Sequence, residues 1–195
     1  LRRRQRQMCI RDRDATVAAA AKTIVDRVDK EYGVVFAKSE VTLNGAKAPN
    51  GNRDSETNNG DLITDAMIWK VMQNKEGLTV DADHVVAITN GGGIRASIPK
   101  GDITYGQIIA VHPYGNMACS IEVTGQQILD ALELGCASTP GESGGFLQVS
   151  GLTYEIHTYI PSSVQLDDNK SFIGVTGARR VKNVMVGGEP IDVNK

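Results

Sequence analysis

A β-branched, apolar run, Val85-Val86-Ala87-Ile88-Thr89, leads into Asn90-Gly91-Gly92-Gly93-Ile94-Arg95. Three successive glycines let the backbone reach φ > 0 and let a ligand approach the main chain closely. Their amides can line an anion site, and Arg95 adds a planar, permanently charged fork suited to phosphate. Chemistry of this kind suits a phosphorylated or carboxylated ligand at a strand's carboxyl end. The loop is neither G-x-G-x-x-G nor a P-loop, since no Gly-Lys-Ser/Thr follows, and a tight turn is the alternative reading. Arg53 lies in a loop just before Asn58-Asn59-Gly60. If both loops meet at one sheet edge, two guanidinium groups converge on one anion; otherwise both are solvated surface arginines. Asn90 offers a donor and an acceptor, enough to read a base edge or ribose, or simply forms a turn. Tyr114, in Pro113-Tyr114-Gly115-Asn116, presents a flat face for stacking or a core aromatic.

Other chemistries find little support. His84, His112 and His157 are scattered, and none pairs with Cys, Asp or Glu at ligand spacing. Cys9, Cys119 and Cys136 form no C-x-x-C or Cys/His pattern, so a zinc site is not indicated. Cys119 and Cys136 are expected to be small buried hydrophobes. Asp61 and Asp65 stand one helical turn apart, a spacing that a helix N-terminus favours in any case.

The elements that position these residues follow from periodicity. Residues 15–32 read as an amphipathic helix, with Asp14 or Thr16 as cap and Val17, Ala21, Ile24 and Val28 as its apolar stripe. Residues 34–43 alternate toward a strand. Residues 61–74 read as a largely buried helix carrying Leu62, Ala66, Trp69 and Met72. Thr104-x-x-Gln107 and Thr124-x-x-Gln127 are capping boxes opening helices near 105–110 and through Leu134. Residues 117–123, 146–150, 152–160 and 181–186 read as strands. In the third, Leu152, Tyr154 and Ile156 share one face and Thr153, Glu155 and His157 the other. Interleaved helices and strands with late hairpin-like joins predict an α+β fold with a mixed sheet and flanking helices.

Composition sets the bounds. A chain of 195 residues, 41% apolar and 23% charged, is ordinary for one globular domain with a sizeable core. Its net charge of −2 gives no global basic field for nucleic acid. Residues 1–13 hold six arginines and one aspartate, which leaves an acidic remainder. That segment lacks the apolar stretch of a secretory signal and resembles a translated sequencing-adapter peptide; it is read as non-native. No apolar run approaches the roughly 20 residues of a membrane span.

Six ordered stretches carry a resemblance. They are residues 56–67 (Glu-Thr-Asn-Asn-Gly-Asp-Leu-Ile-Thr-Asp-Ala-Met), 89–95, 101–105, 111–116, 146–152 and 188–192. Together, from about Lys38 to Lys195, they resemble the C-terminal, substrate-binding domain of the 5'-nucleotidase family, of the bifunctional 5'-nucleotidase, 2',3'-cyclic-nucleotide phosphodiesterase and UDP-sugar hydrolase type. The resemblance implies a division into a basic segment (1–13), an interdomain linker helix (14–33) and the substrate-binding domain (34–195). It implies that Arg53, Asn90, Gly92, Gly93, Arg95 and Tyr114 bind a nucleotide, with Tyr114 where the family commonly places a base-stacking Phe.

The family's N-terminal metallophosphoesterase domain, with its Asp-x-His and Gly-Asn-His-Asp/Glu signatures and two divalent metal ions, is not in this sequence. Nor is the later Gly-Gly-Asp-Gly-Phe/Tyr segment, with a second stacking aromatic and a ribose-binding Asp. The resemblance therefore implies a chain truncated at both ends, inactive alone and without a cofactor of its own. Its parent would be an exported enzyme: extracellular, cell-wall or periplasmic. The expected partners are a nucleoside monophosphate, cyclic nucleotide or nucleotide sugar, and the metal domain of the same polypeptide. Two rivals are a non-catalytic ligand- or partner-binding module of a surface protein, and a nucleic-acid binder acting through the basic arm.

Overall fold

A computed structural model describes residues 14–73 and 75–194. The basic segment 1–13 lies outside the described residues. Helix α1 (Ala15–Tyr32) starts where Asp14 accepts hydrogen bonds from the Thr16 and Val17 amides, and ends at Gly33. Strand β1 (Val35–Ser39) follows, then α2 (Asn58–Met72), β2 (Ala87–Asn90), a 3-10 turn (Gly91–Gly93) and β3 (Gly101–Thr104). Helices α3 (Tyr105–Val111) and α4 (Gly125–Gly135) both open on the expected capping boxes. Strands β4 (Leu147–Ser150), β5 (Leu152–Ile156), β6 (Val164–Leu166), β7 (Phe172–Val175), β8 (Val181–Val186) and β9 (Glu189–Pro190) complete the order.

The α+β class holds. The sheet expected as mixed is divided: among the described residues the strands pair antiparallel as β1–β3, β2–β4, β5–β8–β9 and β6–β7. Of these pairs β6–β7 and β8–β9 join consecutive strands, whereas β1–β3, β2–β4 and β5–β8 bring together strands separated by other elements. Two apolar clusters result. Leu43, Ile94, Ile98, Ile103 and Val111 form one; Leu132, Cys136, Leu152, Val181 and Val184 form the other. The turn from β4 into β5 needs Gly151, at φ +81°, where a Cβ would strike the Val85 carbonyl.

Several expectations are corrected. Helix α2 begins at Asn58, three residues early, because the Thr57 hydroxyl caps it through the Gly60 amide. It turns Asn59, Gly60 and Thr64 inward, while Leu62 is exposed and Trp69 is 63% exposed. The reason is its neighbour: Gly60 lies directly against the buried side chain of Gln148 on β4, so the inner face must be small and polar. Residues 117–123 alternate like a strand but pair with no described strand, and Met117 is 92% exposed. Alternation prepares two faces; it does not supply a partner edge. Likewise β5 ends at Ile156 instead of near Ile160, and Cys119 is exposed rather than buried, whereas Cys136 is buried. Burial pushes the Cys136 thiol up to about 11. The stripe of α1 is also exposed: none of its residues is buried.

Candidate functional site

Strand β2 delivers its carboxyl end into the Gly91–Gly93 turn, and three other segments close around that turn. The Gly91 amide donates to the Phe146 carbonyl at 2.7 Å and the Gly92 amide to the Gly144 carbonyl at 2.9 Å. Asn90 Nδ2 donates to the same Gly144 carbonyl at 3.0 Å. On the other side a Cβ at Gly91 would collide with the Asn52 carbonyl, so only glycine lets the 51–53 loop come this close. The Ser143 amide donates to the Arg53 carbonyl at 2.8 Å, which links that loop to the 143–146 segment. The Arg95 amide donates to the Val111 carbonyl at 2.9 Å, tying the last turn of α3 to the site.

The two arginine-bearing loops therefore do adjoin one turn. Arg53 is half-buried, and its Nε is enclosed without a hydrogen-bond partner. Arg95 is exposed and donates from Nη1 to the Gly92 carbonyl at 3.2 Å, which leaves other guanidinium donors for a ligand. Gly92 and Gly93 lie on the turn itself. Asn90 uses its amide nitrogen internally, and its Oδ1 stands 3.3 Å from the point a Gly93 Cβ would occupy. Tyr114 follows α3 by three residues and is 59% exposed; among the described residues its ring has no aromatic neighbour.

Three residues escape a reading of sequence alone. Gln148, fully buried on β4, donates from Nε2 to the Asn52 and Ser55 carbonyls and accepts from the Thr57 amide. Asn52, also buried, accepts from the Thr57 hydroxyl. The period-two pattern of residues 146–150 carries a signal for the first, since it puts Gln148 on the same face as Phe146, and a buried amide must be bonded. The third is His112, the C-cap of α3. Its Cε1 lies 3.8 Å from the Gly93 Cβ position, its Nε2 is buried without a partner, and burial lowers its pKa. Nothing in its local sequence announces this; it follows from α3 packing under the turn.

Around the turn the Gly91 and Gly92 amides already donate to carbonyls, while Arg95 keeps free guanidinium donors and Arg53 Nε is enclosed without a partner. Such cationic donors can hold an anion. Among the described residues no group of three or more His, Cys, Asp or Glu is placed to hold a metal ion. Among those residues no helix is long and apolar enough to cross a membrane.

Residues 35–195 match the family model described as 5'-nucleotidase, C-terminal domain. The chain is 46% identical over 102 residues to the trifunctional nucleotide phosphoesterase protein YfkN of Bacillus subtilis, covering 52% of this chain and 6% of that protein. It is 38% identical over 128 residues to the cell wall protein Lmo0130 of Listeria monocytogenes, covering 59% of this chain and 15% of that protein. The crystal structure of a 5'-nucleotidase precursor from Thermus thermophilus superposes with a TM-score of 0.69 at 35% identity, covering 91% of this chain and 30% of that one. The chain spans less than a third of the length of each of these relatives. On the family match and the fold together, this chain belongs to the 5'-nucleotidase C-terminal domain family.

Proposed function

We propose that this chain is the nucleotide-binding domain of an exported 5'-nucleotidase-like phosphohydrolase. Arg53 and Arg95 hold the phosphate, Asn90 and the bare main chain at Gly92 and Gly93 fix the nucleoside, and Tyr114 stacks on the base. A separate two-metal domain of the same polypeptide hydrolyses the ester, and the product enters nucleotide catabolism. The substrate is a nucleoside monophosphate, a cyclic nucleotide or a nucleotide sugar. The observation that carries this reading is the convergence on Gly91–Gly93 of both arginine loops, with Arg53 Nε enclosed and unpartnered. The greater length of the relatives supports the second domain, and the name of the Listeria cell wall protein supports export.

The test is an amide NMR titration of the 195-residue chain with AMP. The Gly91, Gly92, Gly93 and Arg95 amides are expected to shift together. Arg95→Ala should weaken binding by about 1.5–3 kcal/mol, the loss of a charge-assisted hydrogen bond. The same chain should leave AMP, 2',3'-cyclic AMP and UDP-glucose unhydrolysed with manganese, zinc or cobalt present. Unmoved glycine amides, or chelator-sensitive turnover, would overturn the reading.

A further inference from the structure

A second group of reactive side chains lies outside the glycine turn, where β5 ends. Glu155, His157 and Tyr159 alternate along the chain and bond in series. His157 Nε2 lies 2.9 Å from Glu155 Oε2, and His157 Nδ1 lies 2.8 Å from the Tyr159 hydroxyl. A carboxylate accepts only, so Nε2 donates to it, and in the neutral imidazole Nδ1 is then left to accept from the phenol. The Glu155 carboxyl is held below its ordinary range, first by its bond to His157 and then by Asn183. On β8, Lys182 stands opposite Glu155, and the carbonyl of Arg180 accepts from the His157 amide at 2.9 Å.

The backbone beneath is fixed. The Ile160 amide donates to the His157 carbonyl at 3.0 Å, closing the turn that carries Tyr159. Buried Arg180 donates from Nε to the Ile160 carbonyl at 2.6 Å and from Nη1 to the Thr139 carbonyl at 2.6 Å. Tyr159 is nonetheless 80% exposed. A nucleophile touching a base that a third group orients is the arrangement of activated hydroxyls.

We infer that Tyr159 is a primed nucleophile, an acceptor site for activated acyl groups. Its phenolic oxygen attacks the acyl carbon and forms an ester. The bond from that carbon to the leaving group breaks, and the leaving group keeps the electron pair. The phenol proton passes to His157 Nδ1 and then to the leaving group. Glu155 acts as a positioning residue.

The probe is N-acetylimidazole, with acetylation of each of the five tyrosines followed by mass spectrometry. Tyr114, also exposed but without a histidine partner, is the internal reference. Tyr159 should react about tenfold faster than Tyr114 or more, a modest share of what a positioned base contributes. His157→Asn should bring Tyr159 to the Tyr114 rate, and Glu155→Gln should give an intermediate rate, with Tyr114 unchanged in both. Equal rates at Tyr159 and Tyr114 in the unaltered chain, or a Tyr159 rate indifferent to His157→Asn, would overturn the inference. A misfolded variant would alter the Tyr114 rate too, and the comparison within the unaltered chain then decides alone.

Discussion

Gln148 joins the segments that carry the candidate site. One amide side chain bonds the Asn52 and Ser55 carbonyls and the Thr57 amide, so it holds the Arg53 loop and the start of α2 against β4. Gln148→Ala would leave the buried Asn52 carbonyl and Thr57 amide and the part-buried Ser55 carbonyl unpaired, each costing about 1–3 kcal/mol if water does not reach it. A loss of at least about 2 kcal/mol is expected in urea unfolding, and the Arg53 loop should broaden in NMR spectra. A change within about half a kcal/mol would show that the bonds are replaced. Buried Glu133 does similar work in the second cluster: it accepts from the Arg180 and Val181 amides and the Ser163 hydroxyl. At this scale the glycine turn at the end of β2 is legible from residue type and spacing. His112 is not, because its relation to Gly93 exists only once α3 has packed.

Capping decides where the helices begin. Thr124 accepts from the Gln127 amide at 3.3 Å while Gln127 Oε1 accepts from the Thr124 amide at 2.8 Å, and Thr104 with Gln107 repeats the arrangement. Helix α4 packs Leu132 and Cys136 into the second cluster, so fraying its start loosens a core element. Thr124→Ala should cost about 1 kcal/mol, and Thr124→Ser should recover most of it, measured by thermal unfolding. Equal stability of the two variants would assign the helix start to packing alone. Both boxes were readable because the signal is local, with one short segment supplying both bonds. Residues 117–123 show the converse: their alternation is as regular as that of β5, yet pairing depends on an edge contributed from elsewhere in the chain.

The molecule as a whole is unevenly anchored. Helix α1 buries none of its residues, and its apolar side chains Val17, Ile24 and Val28 face outward. Helix α4 buries Leu132 and Glu133 completely. Local opening follows the number of buried apolar contacts, so α1 amides should exchange with deuterium far faster than α4 amides, whose exchange needs global unfolding. Comparable protection of the two helices in the 195-residue chain would mean that α1 is covered in solution. A ligand gripping the Gly91–Gly93 turn would act on the better-anchored part, because that turn is bonded to Gly144 and Phe146 just before β4, Arg95 beyond it is bonded to α3, and the 51–53 loop lies against Gly91.

The sequence by itself determined the caps, the glycine turn, the strand that leads into it and the family to which they point. Each is written in a few neighbouring residues, and local bonding suffices to read it. Tertiary structure decided which faces are inside. The outward Trp69, the inward Asn59 and Thr64, the exposed Cys119 and the partnerless 117–123 segment all run against hydropathy. Burial is a property of the surface an element meets, and here a buried amide on β4 required polar neighbours. Tertiary structure alone also set His112 beneath Gly93. That relation depends on where α3 packs after the chain has turned a corner, which no local pattern records.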